Sequence, residues 1–141
     1  MILYLDTSAL VPLLIEEPWS ARCGELWDDA DRVTSTRLAY VEAVAALAQA
    51  ARLGRLSAPG VGNGREVLDV LWDAVDVIEM DRELMLSAAD LAIIHGLRGY
   101  DATHCAAAIA VNDDRLVAAS GDRRLLAAWR TEGVATWDAS A

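Results

Sequence analysis

Ile2-Leu3-Tyr4-Leu5-Asp6-Thr7-Ser8-Ala9-Leu10 opens the chain with four apolar residues, a polar break and a second apolar segment running to Ile15. Four consecutive apolar residues with β-favouring side chains read as a strand buried on both faces, the environment of a parallel sheet. Asp6 then stands at the carboxyl end of that strand. In open α/β sheets ligands bind at this edge, where the strand order reverses. Asp6 has two readings at this point. It is either the N-cap of the following helix or an acid aimed into a crevice.

Outward from that strand, the pattern alternates. Pro18 to Ala30 is predicted helical, with Trp19, Cys23, Leu26 and Trp27 at helical spacing. Arg32 to Ser35 is a short β-branched strand, and Leu38 to Leu53 a long helix ended by Gly54. Residues 57–64, rich in Gly and Pro, read as a loop. Asn63 and Glu66 have capping-box spacing before a helix to about Ala74. Val75 to Met80 is the third strand, and Asp81 caps a helix to about Ile94. Gly96 and Gly99 bracket a turn, and Asp101 opens a very apolar helix to about Val111. Arg115 to Ala119 is the fourth strand, Ser120-Gly121-Asp122 leads into a helix to Arg130, and Val134 to Trp137 is the last strand. Strands alternating with helices imply an α/β fold, with a parallel sheet covered on both faces.

Composition narrows the chemistry. The chain has 141 residues, the size of one domain with a real core. All 12 basic residues are Arg, and the net charge is −10. Without Lys there is no Walker-type phosphate loop. Haloacid-dehalogenase-like phosphatases and receiver domains, which also place an Asp after the first strand, are excluded on the same ground. Cys23 and Cys105 lie far apart with no Cys-x-x-Cys partner, which argues against zinc. Both read as small buried apolar groups in a reducing compartment. No apolar run reaches membrane-spanning length, and no signal peptide is evident, so a cytoplasmic protein is expected.

Three aspartates share one grammar. Asp6 follows strand one, Asp122 follows strand four across Ser-Gly, and Asp101 sits at a helix start after a glycine-bracketed turn. If strand four lies beside strand one, Asp6 and Asp122 emerge together. Glu42 is the fourth acid. Between Leu38 and Ala51 the only polar side chains are Tyr40, Glu42 and Gln49, and Glu42 has no cation at i+3 or i+4. A helix apolar nearly all round is a buried or interface helix. Glu42 therefore either faces solvent on a narrow polar edge or points into an acidic pocket. Carboxylate pairs at ~5 Å repel by roughly 3 kcal/mol at an effective dielectric of about 20. A divalent cation neutralises such a cluster. Hard oxygen ligands without His or thiolate favour Mg²⁺ or Mn²⁺, whose chemistry is water activation and phosphoryl-oxyanion stabilisation.

The motifs Leu5-Asp6-Thr7-Ser8-Ala9-Leu10, Glu42 in the helix after strand two, Leu97-Arg98-Gly99-Tyr100-Asp101-Ala102 and Ser120-Gly121-Asp122 resemble, in order and spacing, PIN-domain ribonucleases. They are most similar to the compact VapC-type toxins of toxin–antitoxin pairs. The resemblance spans residues 1–141 as a single PIN domain, although residues 55–80 carry no motif. It implies a three-layer α/β/α fold with strand order 3-2-1-4-5. It also implies an Mg²⁺-dependent endoribonuclease (Mn²⁺ substituting), a homodimer, and a cognate antitoxin that blocks the site. By position, Asp6, Glu42, Asp101 and Asp122 would be the catalytic, metal-binding acids, and Ser8 and Ser120 the supporting hydroxyls.

A net charge of −10 opposes bulk electrostatic binding of nucleic acid. Arg98, Arg123 and Arg124 flank two of the acids and are candidate phosphate contacts. This charge suits a narrowly selected, structured RNA such as a tRNA or rRNA. His104, at i+3 from Asp101, is a further candidate for RNA contact or proton transfer, beside a structural reading. Two other functions stay open. One is a non-catalytic module of the same fold that binds RNA or protein. The other is a structure-specific DNA nuclease, against which the small size argues.

Overall fold

Ile2–Leu5 forms the first strand, β1, in the computed structural model, which describes residues 1–141. It pairs in parallel with β2 (Arg32–Thr36) on one side and β4 (Leu116–Ser120) on the other. β3 (Val75–Ile78) extends the sheet beyond β2, and β5 (Thr136–Asp138) extends it beyond β4. All pairings are parallel and the order is 3-2-1-4-5, as expected.

The strand period of two splits β1 between two cores. Leu3 and Leu5 point to one face, where they meet Leu10, Cys23, Ala43 and Leu68. Tyr4 points to the other, among Cys105, Leu125 and Trp129. The first face is covered by α1 (Thr7–Leu10), a 3-10 turn (Val11–Leu13), α2 (Ser20–Asp29), α3 (Leu38–Arg52) and α4 (Ala58–Trp72). The second is covered by α5 (Arg82–His95), α6 (Gly99–Ala110) and α7 (Arg123–Thr131). Parallel strands need crossover connections, and these helices supply them. No helix is long and apolar enough to cross a membrane.

Residues 57–64 are not a loop. Ser57 caps α4 by accepting from the Gly60 amide at 3.1 Å, and Pro59 lies in the first turn, where its missing N–H costs nothing. The expected cap at Asn63 is therefore six residues late. Gly64 serves packing rather than a turn. A Cβ on Gly64 would stand 2.8 Å from Cδ2 of Leu47, so the absent side chain is what lets α4 close on α3. The apolar α3 is also not buried all round. It buries Ala39, Ala43, Leu47 and Ala50 and leaves Val41 exposed. α6 is the deeply buried helix, with Ala102 through Ala108 all inside. Its small residues allow close approach to the sheet and to α5. The predicted cap at Asp81 is present, its side chain accepting from the Leu84 amide at 2.9 Å. Gly96 ends α5 in the left-handed region at φ 65°.

Candidate active site

β1 and β4 end side by side, and the Asp6 amide still donates to the Ala119 carbonyl at 3.1 Å. Asp6 occupies the N-cap position of α1, yet its side chain makes no capping bond. Instead Oδ2 accepts from Ser8 Oγ at 2.6 Å and from Ser120 Oγ at 2.7 Å. Those hydroxyls are in turn held by backbone. Gly121 N–H donates to Ser8 Oγ at 2.8 Å, and Asp122 N–H donates to Ser120 Oγ at 2.9 Å. The Ser120-Gly121-Asp122 turn is thereby tied to Asp6 through both serines. This explains why small hydroxyl residues stand at these two places.

Asp122 is the N-cap of α7. Its Oδ1 accepts from the Leu125 amide at 2.9 Å and caps α7, while no protein hydrogen bond occupies its other oxygen. Glu42 does not lie on a solvated edge. Its Oε1 accepts from Thr7 Oγ1 at 2.9 Å and from His104 Nε2 at 2.7 Å. The partner missing at i+3 and i+4 on its own helix arrives from α6, 62 residues away in sequence.

Asp101 lies in the first turn of α6, two residues inside it rather than at its cap. Arg98 Nε approaches its Oδ2 at 3.4 Å. Burial pushes the Asp101 carboxyl above its ordinary value, and the charges of Asp122 and Asp6 push it the same way, against Arg98. Such mutual repulsion places three of the four acids in one electrostatic neighbourhood. An open cleft of about 410 Å³ is lined by two of them, Asp101 and Asp122, together with Arg98, Arg123, Arg124, Gly96 and Leu97. The three arginines thus gather at the mouth of the acidic site. Arg98 also stacks over the exposed Tyr100 ring, 4.8 Å from its centroid.

His104 is fully buried, so it cannot touch RNA as the sequence reading allowed. A side chain at i+3 from Asp101 shares its helix face, but here that face turns inward beneath the acids. Nε2 reaches Glu42 Oε1 at 2.7 Å, Thr7 Oγ1 at 3.3 Å and Asp6 Oδ1 at 3.4 Å. Nδ1 meets the Tyr4 hydroxyl at 2.7 Å. Burial alone would lower the imidazole pKa. The charge of Asp6, the bond to Glu42 and the charges of Glu42 and Asp101 outweigh it, and the net shift is upward. Burial likewise raises the Tyr4 phenol well above its usual value, with Asp6 adding to the effect.

Thr7 and Tyr4 are the functional neighbours that sequence reasoning missed. Thr7 stood inside the quoted motif without a role. A signal for Tyr4 existed, because a tyrosine in a strand buried on both faces must find a partner for its hydroxyl.

The donor set suits a hard cation. It offers only oxygen, and each acid keeps one oxygen free of protein hydrogen bonds, since Asp6 uses Oδ2, Glu42 Oε1 and Asp122 Oδ1, and Arg98 approaches only Oδ2 of Asp101. No three of these side chains, as placed, already converge on one point as a finished cage.

A family model described as PIN domain matches residues 3–128. Ribonuclease VapC49 of Mycobacterium tuberculosis is 42% identical over 124 residues, which is 88% of this chain and 86% of that protein. Among solved structures, PAE2754 of Pyrobaculum aerophilum is 26% identical with a TM-score of 0.70, over 96% of this chain and 89% of that one. A toxin–antitoxin complex from Klebsiella pneumoniae shares the fold at 14% identity, with a TM-score of 0.60 over 84% of this chain and 85% of that one.

Proposed function

The chain belongs to the PIN-domain family, and we propose that it is a VapC-type endoribonuclease that hydrolyses RNA phosphodiesters and is neutralised by a cognate antitoxin. The observation that carries this reading is the gathering of Asp6, Glu42 and Asp101 around His104, with Asp101 and Asp122 lining a cleft rimmed by arginines. A bound divalent cation, Mg²⁺ or Mn²⁺, would supply acidified water and stabilise charge on a phosphoryl oxygen. Asp6, Glu42, Asp101 and Asp122 would hold it through the oxygens that protein hydrogen bonds leave free. Side-chain rotation would close them on the ion.

The chain's own groups do the rest. Ser8 and Ser120 fix Asp6, and Thr7 fixes one oxygen of Glu42. Arg98, Arg123 and Arg124 would grip the phosphates that flank the scissile bond, using planar forks suited to bidentate contact. Three localised arginines on a chain of net charge −10 favour an RNA that presents phosphates in a defined shape, such as a tRNA or rRNA, over any passing strand. The substrate places its action in the cytoplasm.

The antitoxin and a second copy of the chain both need apolar surface outside the core. α5 offers Leu86, Ile93 and Ile94, and α3 offers Val41 beside Trp72 and Met80.

The test is cleavage of total cellular RNA by purified protein in Mg²⁺, in Mn²⁺ and in chelator, beside Asp101→Asn. Discrete metal-dependent fragments, absent with the variant, are expected, and their ends name the substrate. RNA retained but uncut by folded, antitoxin-free protein would overturn the nuclease in favour of a binding module.

A further inference from the structure

We infer that His104 is a positioning residue, locked in place by Tyr4, which holds Glu42 in register for the divalent cation. The inference rests on the nuclease reading above and adds a component to its site.

Three of the four acids come from separate places in the fold: Asp6 follows β1, Glu42 lies on α3 and Asp101 on α6. His104 is the one side chain that touches the first two while sitting one helical turn beyond the third. It has no exposed surface. Carboxylates only accept hydrogen bonds, so the contact with Glu42 at 2.7 Å requires the proton on Nε2. That requirement fixes which way the ring faces, and the Tyr4 hydroxyl on Nδ1 holds it there. The Tyr4 and His104 rings also meet edge-on at 5.9 Å, and Tyr4 packs in the same way against the buried Trp129. The ring therefore has one orientation, braced by a side chain of β1 on the same face of the sheet.

A buried histidine of purely structural use needs only a backbone partner. This one spends its donor on an acid proposed to hold metal, leaving the other oxygen of Glu42 without a protein hydrogen bond. Thr7 adds a second donor to the same Oε1. Glu42 is thus held on one oxygen by two partners, as Asp6 is by two serines. Both acids follow one scheme, in which one oxygen is tied down and the other presented. Partners that orient a metal-binding side chain are worth about 10–100-fold in metal affinity.

The experiment measures free Mn²⁺ by electron paramagnetic resonance against wild type, His104→Ala, His104→Gln and Tyr4→Phe. Each protein is first shown to be folded by near-ultraviolet circular dichroism, and RNA cleavage is measured alongside. The alanine variant is expected to bind Mn²⁺ about 10–100-fold more weakly. Tyr4→Phe, which frees the ring, should show a smaller loss in the same direction. Glutamine, with an amide donor near the place of Nε2, should recover most of the affinity. The kcat should fall with affinity while KM for RNA holds, because the arginines are untouched.

Affinities all within twofold of wild type would overturn the inference and leave His104 a packing residue. Tighter binding by the alanine variant would also overturn it, because His104 would then be a charge competing with the ion. If the alanine variant fails to fold, the other two decide the question by the same criteria. Wild type that neither binds Mn²⁺ nor cuts RNA would remove the nuclease reading itself. A cutting wild type with unchanged variants removes only the role of His104.

Discussion

Asp122 caps α7 with one oxygen and is proposed to hold metal with the other, and the pair Asp122→Asn and Asp122→Ala separates the two roles. Asparagine keeps an oxygen to accept from the Leu125 amide, now at 2.9 Å, and loses the charge. Alanine loses both. The lost cap should cost the alanine variant about 1 kcal/mol, a fall in Tm of roughly 3–5 °C for a chain of this length. The asparagine variant should be at least as stable as wild type in chelator at neutral pH, because the Asp122 charge is among those that burden Asp101. The pH dependence follows with a definite sign. Between its ordinary value of 3.8 and its raised native value, Asp101 holds more proton in the folded protein than in the unfolded chain. Stability therefore falls as pH rises through that window. Without Asp122's charge the native value drops toward the ordinary one, and the fall should be shallower. Urea unfolding in chelator, at neutral pH and in acid, measures both effects, and RNA cleavage should be lost in both variants. Equal destabilisation of the two variants would refute the capping argument. Cleavage retained by the asparagine variant would refute the need for charge at this position.

Two further outcomes test the packing. Gly62→Ala on the exposed side of α4 should stabilise by up to about 1 kcal/mol through helix propensity, since nothing stands within 4 Å of the new Cβ. Gly64→Ala should instead lose about 1 kcal/mol net, as overpacking against the fully buried Leu47 outweighs that gain, and matching unfolding midpoints for the two would refute the tight α3–α4 contact. Burial pushes the Cys105 thiol up to about 12 and raises Cys23 as well, so neither should react with a thiol reagent in the native protein. Both should label on unfolding, and rapid native labelling of Cys105 would contradict its buried place in α6.

The surface charge and the site charge have different consequences. A net charge of −10 keeps the chain away from polyanions in general, while the arginines at the cleft provide one place of opposite sign. Binding there should fall with salt as few phosphates are contacted. Under the proposed function, selectivity would depend on how well an RNA fits the rim rather than on total charge.

Much of the fold and of the acid set was legible in the chain because both depend on local pattern. The run Ile2–Leu5 is apolar at every position because both faces of β1 are covered, and the alternation of strands with helices leaves a parallel sheet as the solution. The ends of those strands place Asp6 and Asp122 without further information. The glycine-rich stretch at 57–64 was misread because glycine at a turn and glycine under a packed neighbour look alike in one dimension. Only the second helix, with Leu47 on it, distinguishes them. The partner of Glu42 was likewise invisible. Its helix holds no cation at i+3 or i+4, and His104 reaches it only because α6 threads beneath the same sheet edge. Local propensity and period thus determined where each acid sits along the chain. Which oxygen is tied, by which hydroxyl or imidazole, was decided by tertiary packing, because hydrogen bonds span a few ångströms of space whatever the distance in sequence.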